Sequence, residues 1–176
     1  MGLWNFLFDG KKPAADGPAP TAPAPQATQQ AQGTQIAYNP ELVPRLQAEH
    51  RHLLELFGEI GRVFQSNDLA TTAARLEQFR GAVLDHLMTE NIRFYIYLEH
   101  SLKHDADSFE LMHGFRHEMD GIGKAVLAFL SKYKDIAGQP NLAVSFGSDL
   151  KQVGEVLVGR IRREEETLYP LYMPAY

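Results

Sequence analysis

The 176-residue chain carries 22 acidic against 17 basic residues, a net charge of −5, and no cysteine. Its length and 44% apolar content suffice for about one folded domain. Disulfides, thiolate metal sites and cysteine nucleophiles are excluded together, leaving His, Asp and Glu as metal-ligating side chains. No Lys/Arg run forms the basic stripe that phosphate contacts need, so nucleic acid is not an expected partner.

Residues 1–12 form a short apolar segment in which Trp4, Phe6, Leu7 and Phe8 precede Lys11 and Lys12. It is too short to span a bilayer and lacks the basic start and cleavage site of a secretory signal. The expectation is a cytoplasmic protein with no transmembrane segment. Residues 13–38 collapse to a Pro/Ala/Gln-rich composition that buries too little surface to offset chain entropy, and they read as a disordered linker. Residues 39–176 read as the folded domain.

From Pro40 to about residue 66, Val43, Leu46, Leu53, Leu54, Phe57, Ile60 and Phe64 recur at helical spacing. His50 falls inside this stripe and His52 on the opposite side. A lone histidine on an apolar face is more often a hydrogen-bonded core residue than a ligand. After Ser66-Asn67-Asp68 a second helix carries Leu76, Phe79, Val83, Phe94, Tyr97 and Leu98 on one side, up to a turn near residues 104–108. His86 and Glu90 lie in that stripe, one turn apart, so they can grip one cation or hydrogen-bond to each other. An inward carboxylate is costly unless paired or metal-bound, which makes Glu90 the stronger signal.

A third helix, from about residue 109 to 134, presents Leu111, Phe115, Met119, Ile122, Val126, Phe129 and Tyr133. His113 and His117 have a two-histidine spacing but fall roughly opposite the stripe, toward solvent. Glu118, at its edge, is this helix's candidate hard-metal ligand. Gly138-Gln-Pro140-Asn141 closes the helix, and a fourth turns Phe146, Leu150, Val153, Leu157, Leu168 and Leu171 inward. Glu164, Leu168 and Tyr169 repeat Glu90, Phe94 and Tyr95 seventy-four positions on, with Arg160 at the place of His86. Arginine has no lone pair for a metal. Arg160 is therefore expected to pair with Glu164 or, across the bundle, with Glu90, while Glu165 and Glu166 are expected in solvent. The fold expected is all-α, an up-down four-helix bundle preceded by a disordered N-terminal tail.

Over about residues 40–173 this arrangement resembles the hemerythrin-like (HHE cation-binding) domain family. The resemblance rests on Glu49-His50-Arg51, on His86-x-x-x-Glu90 followed by Phe94-Tyr95, and on Glu165-Glu166-Thr-Leu168-Tyr169-Pro170 with Glu164 in the ligand register. His113-x-x-x-His117 matches the spacing of the oxygen-carrying members. The resemblance implies non-haem iron, one or two ions. With Arg160 replacing the fourth-helix histidine, it implies a single iron on His50, His86, Glu90 and Glu164, completed by Glu118 or water, or else a core without metal. The function implied is not enzymatic: a cation-binding protein that senses or buffers oxygen, nitric oxide or iron, with a small ligand such as O2 or NO at the metal. Arg160-x-x-x-Glu164 is also similar to a motif in sigma-factor-binding regulators of the regulator-of-sigma-D type. That similarity implies a metal-free regulatory module binding a protein partner. A di-iron oxidase using Tyr95, Tyr97 and Tyr169 ranks last, because tyrosines at helical spacing are more often core.

Overall fold

The computed structural model describes residues 35–174. Helix α1 (Leu42–Gln65) packs on α2 (Leu69–Thr89), α2 on α4 (Ala106–Tyr133), α4 on α5 (Ala143–Arg163), and α5 back on α1. The result is the expected all-α up-down bundle. The second helix continues past Thr89 through a π turn at Glu90–Tyr95 into α3 (Ile96–Ser101). The fourth continues through a π turn at Glu164–Leu168 into a 3-10 turn at Tyr169–Leu171.

Local chemistry sets the α1–α2 reversal. Asn67 adopts a left-handed conformation with φ 59°, which asparagine tolerates better than most residues. Asp68 then caps α2 by accepting the Thr71 N–H at 2.9 Å. Asp68→Ala is expected to cost about 1 kcal/mol, seen as a melting temperature lower by roughly 3 °C.

Two apolar cores fill the bundle. The lower one joins Leu53, Ile60, Phe79, Val83, Val126, Phe129, Phe146 and Leu157. The upper one joins Leu46, Phe94, Tyr95, Leu98, Met112, Phe115, Leu168 and Tyr172. Helices α1 and α5 approach closely at Gly154, where an added Cβ would lie 2.7 Å from the Phe57 ring. Gly154→Ala therefore forces that ring to move.

One sequence expectation, an inward Leu111, needs correction, and two further features go beyond the sequence reading. Leu111 is 39% exposed, and Met112 is buried instead. A helix satisfies its inward face with i, i+3 steps as readily as i, i+4, and Met112 reaches Phe115 by the shorter step. The packed body also begins before residue 39, since Ile36 and Tyr38 lie against the upper core. There Tyr38 stacks on Tyr172 at 5.1 Å, and the Asn39 N–H donates to the Tyr172 hydroxyl at 3.0 Å. The apolar segment 1–12 and most of the linker 13–38 lie outside the described residues. Finally, the second helix is not uniformly α. Its π turn, like that of the fourth, brings two consecutive large side chains inward, Phe94 with Tyr95 and Leu168 with Tyr169.

Candidate metal centre

Between the two cores lies one polar layer. On α1, His50 sits between Leu46 and Leu53; on the second helix, His86 and Glu90 sit between Val83 and Phe94; on the fourth, Arg160 and Glu164 sit between Leu157 and Leu168. All five are at most 4% exposed. Both π turns begin on the layer's glutamates, Glu90 and Glu164. π turns concentrate at functional positions in helices.

The half of the layer nearest α1 and α2 is built on histidine. His50 Nδ1–H donates to Glu165 Oε1 at 2.8 Å, and His86 Nδ1–H donates to Glu49 Oε2 at 3.1 Å. A carboxylate can only accept, so each Nδ1 carries a proton, and in the neutral imidazole the lone pair then lies on Nε2. The two Nε2 atoms face the remaining carboxylates: His50 Nε2 lies 3.4 Å from Glu164 Oε2, and His86 Nε2 lies 4.0 Å from Glu90 Oε2. The rings themselves are 4.7 Å apart. The Tyr169 hydroxyl stands 3.2 Å from His50 Nε2 and 3.3 Å from Glu90 Oε1. Its single proton can serve only one of those acceptors at a time.

The other half is built on arginine. Arg160 donates from Nε to Glu164 Oε1 at 2.7 Å, from Nη1 to Glu118 Oε2 at 3.1 Å and from Nη2 to the Tyr95 hydroxyl at 3.0 Å. Its guanidinium also lies over the Phe115 ring at 4.8 Å. Of its two expected partners it takes Glu164, not Glu90. Glu118 does not join the histidines. Its side chain is 38% exposed, and its carboxylate is held between Arg160 and Arg163. The two halves mirror the sequence repeat, with Tyr95 serving arginine and Tyr169 serving histidine.

Charge is unevenly satisfied across the layer. Glu90 Oε2 is fully enclosed and has no hydrogen-bond partner. Burial, and then the neighbouring Glu164, push the Glu90 carboxyl well above the usual range. Burial, and then His50, pull His86 below its ordinary value and keep it neutral. Burial opposes the charge on Arg160, but Glu164 and its other partners more than compensate, so it stays cationic. Burial first, and Glu90 next, raise the Tyr95 and Tyr169 phenols, which remain protonated.

Among the described residues, no three His, Asp or Glu side chains stand in an arrangement that already suits a metal ion. Arg160 draws one oxygen of Glu164 away, and Tyr169 fills the space before His50 Nε2. The donor set nevertheless fits one ion. Two imidazole nitrogens and two carboxylates are a borderline-to-hard set of the kind divalent iron, manganese or zinc accept. Their gaps of 3.4 and 4.0 Å are ones that two bonds of about 2.1 Å can bridge. The other half of the layer presents the Arg160 guanidinium, which carries a fixed positive charge and has no lone pair for a cation.

Sequence reasoning missed Glu49 and Glu165, the residues that orient the histidines. Glu165 was expected in solvent, yet its side chain is 33% exposed and bonded to His50. Each adjoins an inward residue in sequence, and adjacency is a signal too common to single them out. His113 and His117 face solvent, as their position relative to the stripe implies.

An up-down bundle with a buried His/Glu layer across its middle belongs to the class of helical proteins that build cation sites at the bundle centre. Residues 41–172, the whole bundle, match the hemerythrin HHE cation-binding domain, and the chain belongs to that family. No curated protein and no solved structure matches it. No helix among the described residues is long and apolar enough to cross a membrane.

Proposed function

We propose that this protein binds one non-haem iron through His50, His86, Glu90 and Glu164, with Arg160 supplying the fixed positive charge of the missing second ion. It acts in the cytoplasm as a sensor or buffer of oxygen, nitric oxide or iron. The observation that carries this reading is a pair of histidines, each latched at Nδ1 by a carboxylate, with His50 Nε2 facing Glu164 and His86 Nε2 facing the unpartnered Glu90 Oε2. Such latches are how proteins orient imidazole toward a metal. A bound iron would supply a position for a small ligand such as O2 or NO. Binding rather than turnover is favoured because the space beside the layer is about 20 Å³, room for about one water and not for an organic substrate.

The test is elemental analysis of protein expressed in iron-replete medium, repeated after anaerobic ferrous reconstitution. About one iron per chain is expected, falling sharply in His86→Ala, which removes a donor. In the metal-loaded protein His86→Ala should also lose the stability that a bound ion confers on the folded state alone. No iron uptake would favour the metal-free reading, a regulatory module for a protein partner. The four contacts Arg160 makes to Glu164, Glu118 and Tyr95 support that alternative, since they neutralise its charge without a cation.

A further inference from the structure

We propose that the groove between α1 and α2 is the path by which a divalent cation reaches the buried layer, and that His86 is the movable wall between them. The inference rests on the cation-binding reading above. On the outside of the bundle the two helices leave an open groove of about 960 Å³. Inside lies the space of about 20 Å³ beside His50, Arg160 and Glu164. Leu53 and His86 border both, and no other residue does. The partition is thus one side chain thick. On other sides the layer abuts the aromatic upper core, the lower core, and Arg160 backed with Glu118 and Arg163.

Of the two wall residues only His86 has somewhere to go. Its inner nitrogen is 4.0 Å from Glu90, too far for a hydrogen bond, and a single contact, to Glu49 Oε2, holds its outer nitrogen. Glu49 is itself on the groove wall, where Arg45 Nε holds its other oxygen at 2.7 Å. Breaking the Glu49 contact lets the imidazole turn into the groove and opens the wall. Glu49, Glu59 and Asp85 face the groove against Arg45 and Arg75, so its charge is mildly favourable to a cation. His86 would then meet the ion first at the groove, and its return would deliver the ion to Glu90.

Gly81 and Ala48 allow a clean test, because both line the groove and are exposed. A Cβ added at Gly81 meets nothing within 4 Å. Gly81→Phe and Ala48→Phe therefore put bulk into the groove from positions outside the layer. Metal-free full-length protein is mixed with Co2+ in a stopped-flow instrument, and equilibrium affinity is measured separately. Uptake is expected to slow by about tenfold or more in the plugged variants with affinity unchanged, and to quicken in Glu49→Ala. Carbethoxylation mapped by mass spectrometry reads the wall without any metal. His86 should react faster than His50, and the plugs should slow it by about tenfold. Unchanged uptake and unchanged His86 reactivity in both plugged variants would overturn the path. A wild-type protein that binds no Co2+ would overturn the cation site instead, and the carbethoxylation rates would still decide whether His86 opens to the groove.

Discussion

Arg160→Met is expected to destabilise the metal-free protein by about 3–5 kcal/mol, the range for breaking a buried ion pair from one side. The guanidinium is 2% exposed and contacts Glu164, Glu118 and Tyr95 at once. Methionine matches much of its length and still packs on Phe115, so the loss is one of charge and hydrogen bonds rather than of volume. Without it, Glu164 is left buried beside Glu90 with no counter-charge. Arg160→Lys should recover only part of the loss, because an ammonium cannot fork to three partners lying in different directions. Urea denaturation of the three metal-free proteins at pH 7 provides the comparison. A loss below about 1 kcal/mol, the size of an exposed pair, would mean that the Arg160 contacts contribute no more than a surface ion pair does. Arg160→His should be similarly destabilised when empty but should bind more cation than wild type, because it replaces a fixed charge with a donor.

Much of this layer is legible in the sequence because its residues interrupt apolar stripes. His50 between Leu46 and Leu53, and Glu90 between Val83 and Phe94, are inward by helical period alone, and both are buried. The repeat of Glu90-Phe94-Tyr95 as Glu164-Leu168-Tyr169 places the two π turns in register. It does not disclose them, since a π turn changes hydrogen bonding without changing composition. Geometry across the bundle is the least legible part. Glu118 lies at the edge of its stripe in sequence, but whether it turns toward the histidines or toward arginine depends on Arg163, which approaches from a different helix. Glu49 and Glu165 occupy shoulder positions where a side chain reaches inward or outward with equal ease. Only the neighbouring imidazoles decide between the two.

Glu90→Gln should have opposite effects on the empty and the filled protein. In the empty protein Glu90 has a folded pKa raised by burial and by Glu164, so the folded chain holds this proton more tightly than the unfolded chain does. Its contribution to stability is fully present below the ordinary value of about 4.3 and is lost as pH rises toward the folded value. Glutamine keeps the shape of the protonated acid and cannot ionise. The variant should therefore match wild type near pH 4 and exceed it increasingly as pH rises. Other carboxylates slope the opposite way, Glu118 and Asp149 among them, held low by hydrogen bonds from Arg163 and Lys132 respectively. The measurement is accordingly the difference between the two proteins at each pH. With cation present the order reverses. A site filled at one hundred times its dissociation constant adds about 2.7 kcal/mol to wild type, and the variant, deprived of the unpartnered carboxylate oxygen Glu90 Oε2, should gain little. Thermal melts at pH 5 and pH 7, with and without Fe2+ under anaerobic conditions, test both halves. If the empty variant is less stable than wild type at pH 7, ionised Glu90 is already satisfied within the layer and leaves no charge deficit for a cation to fill.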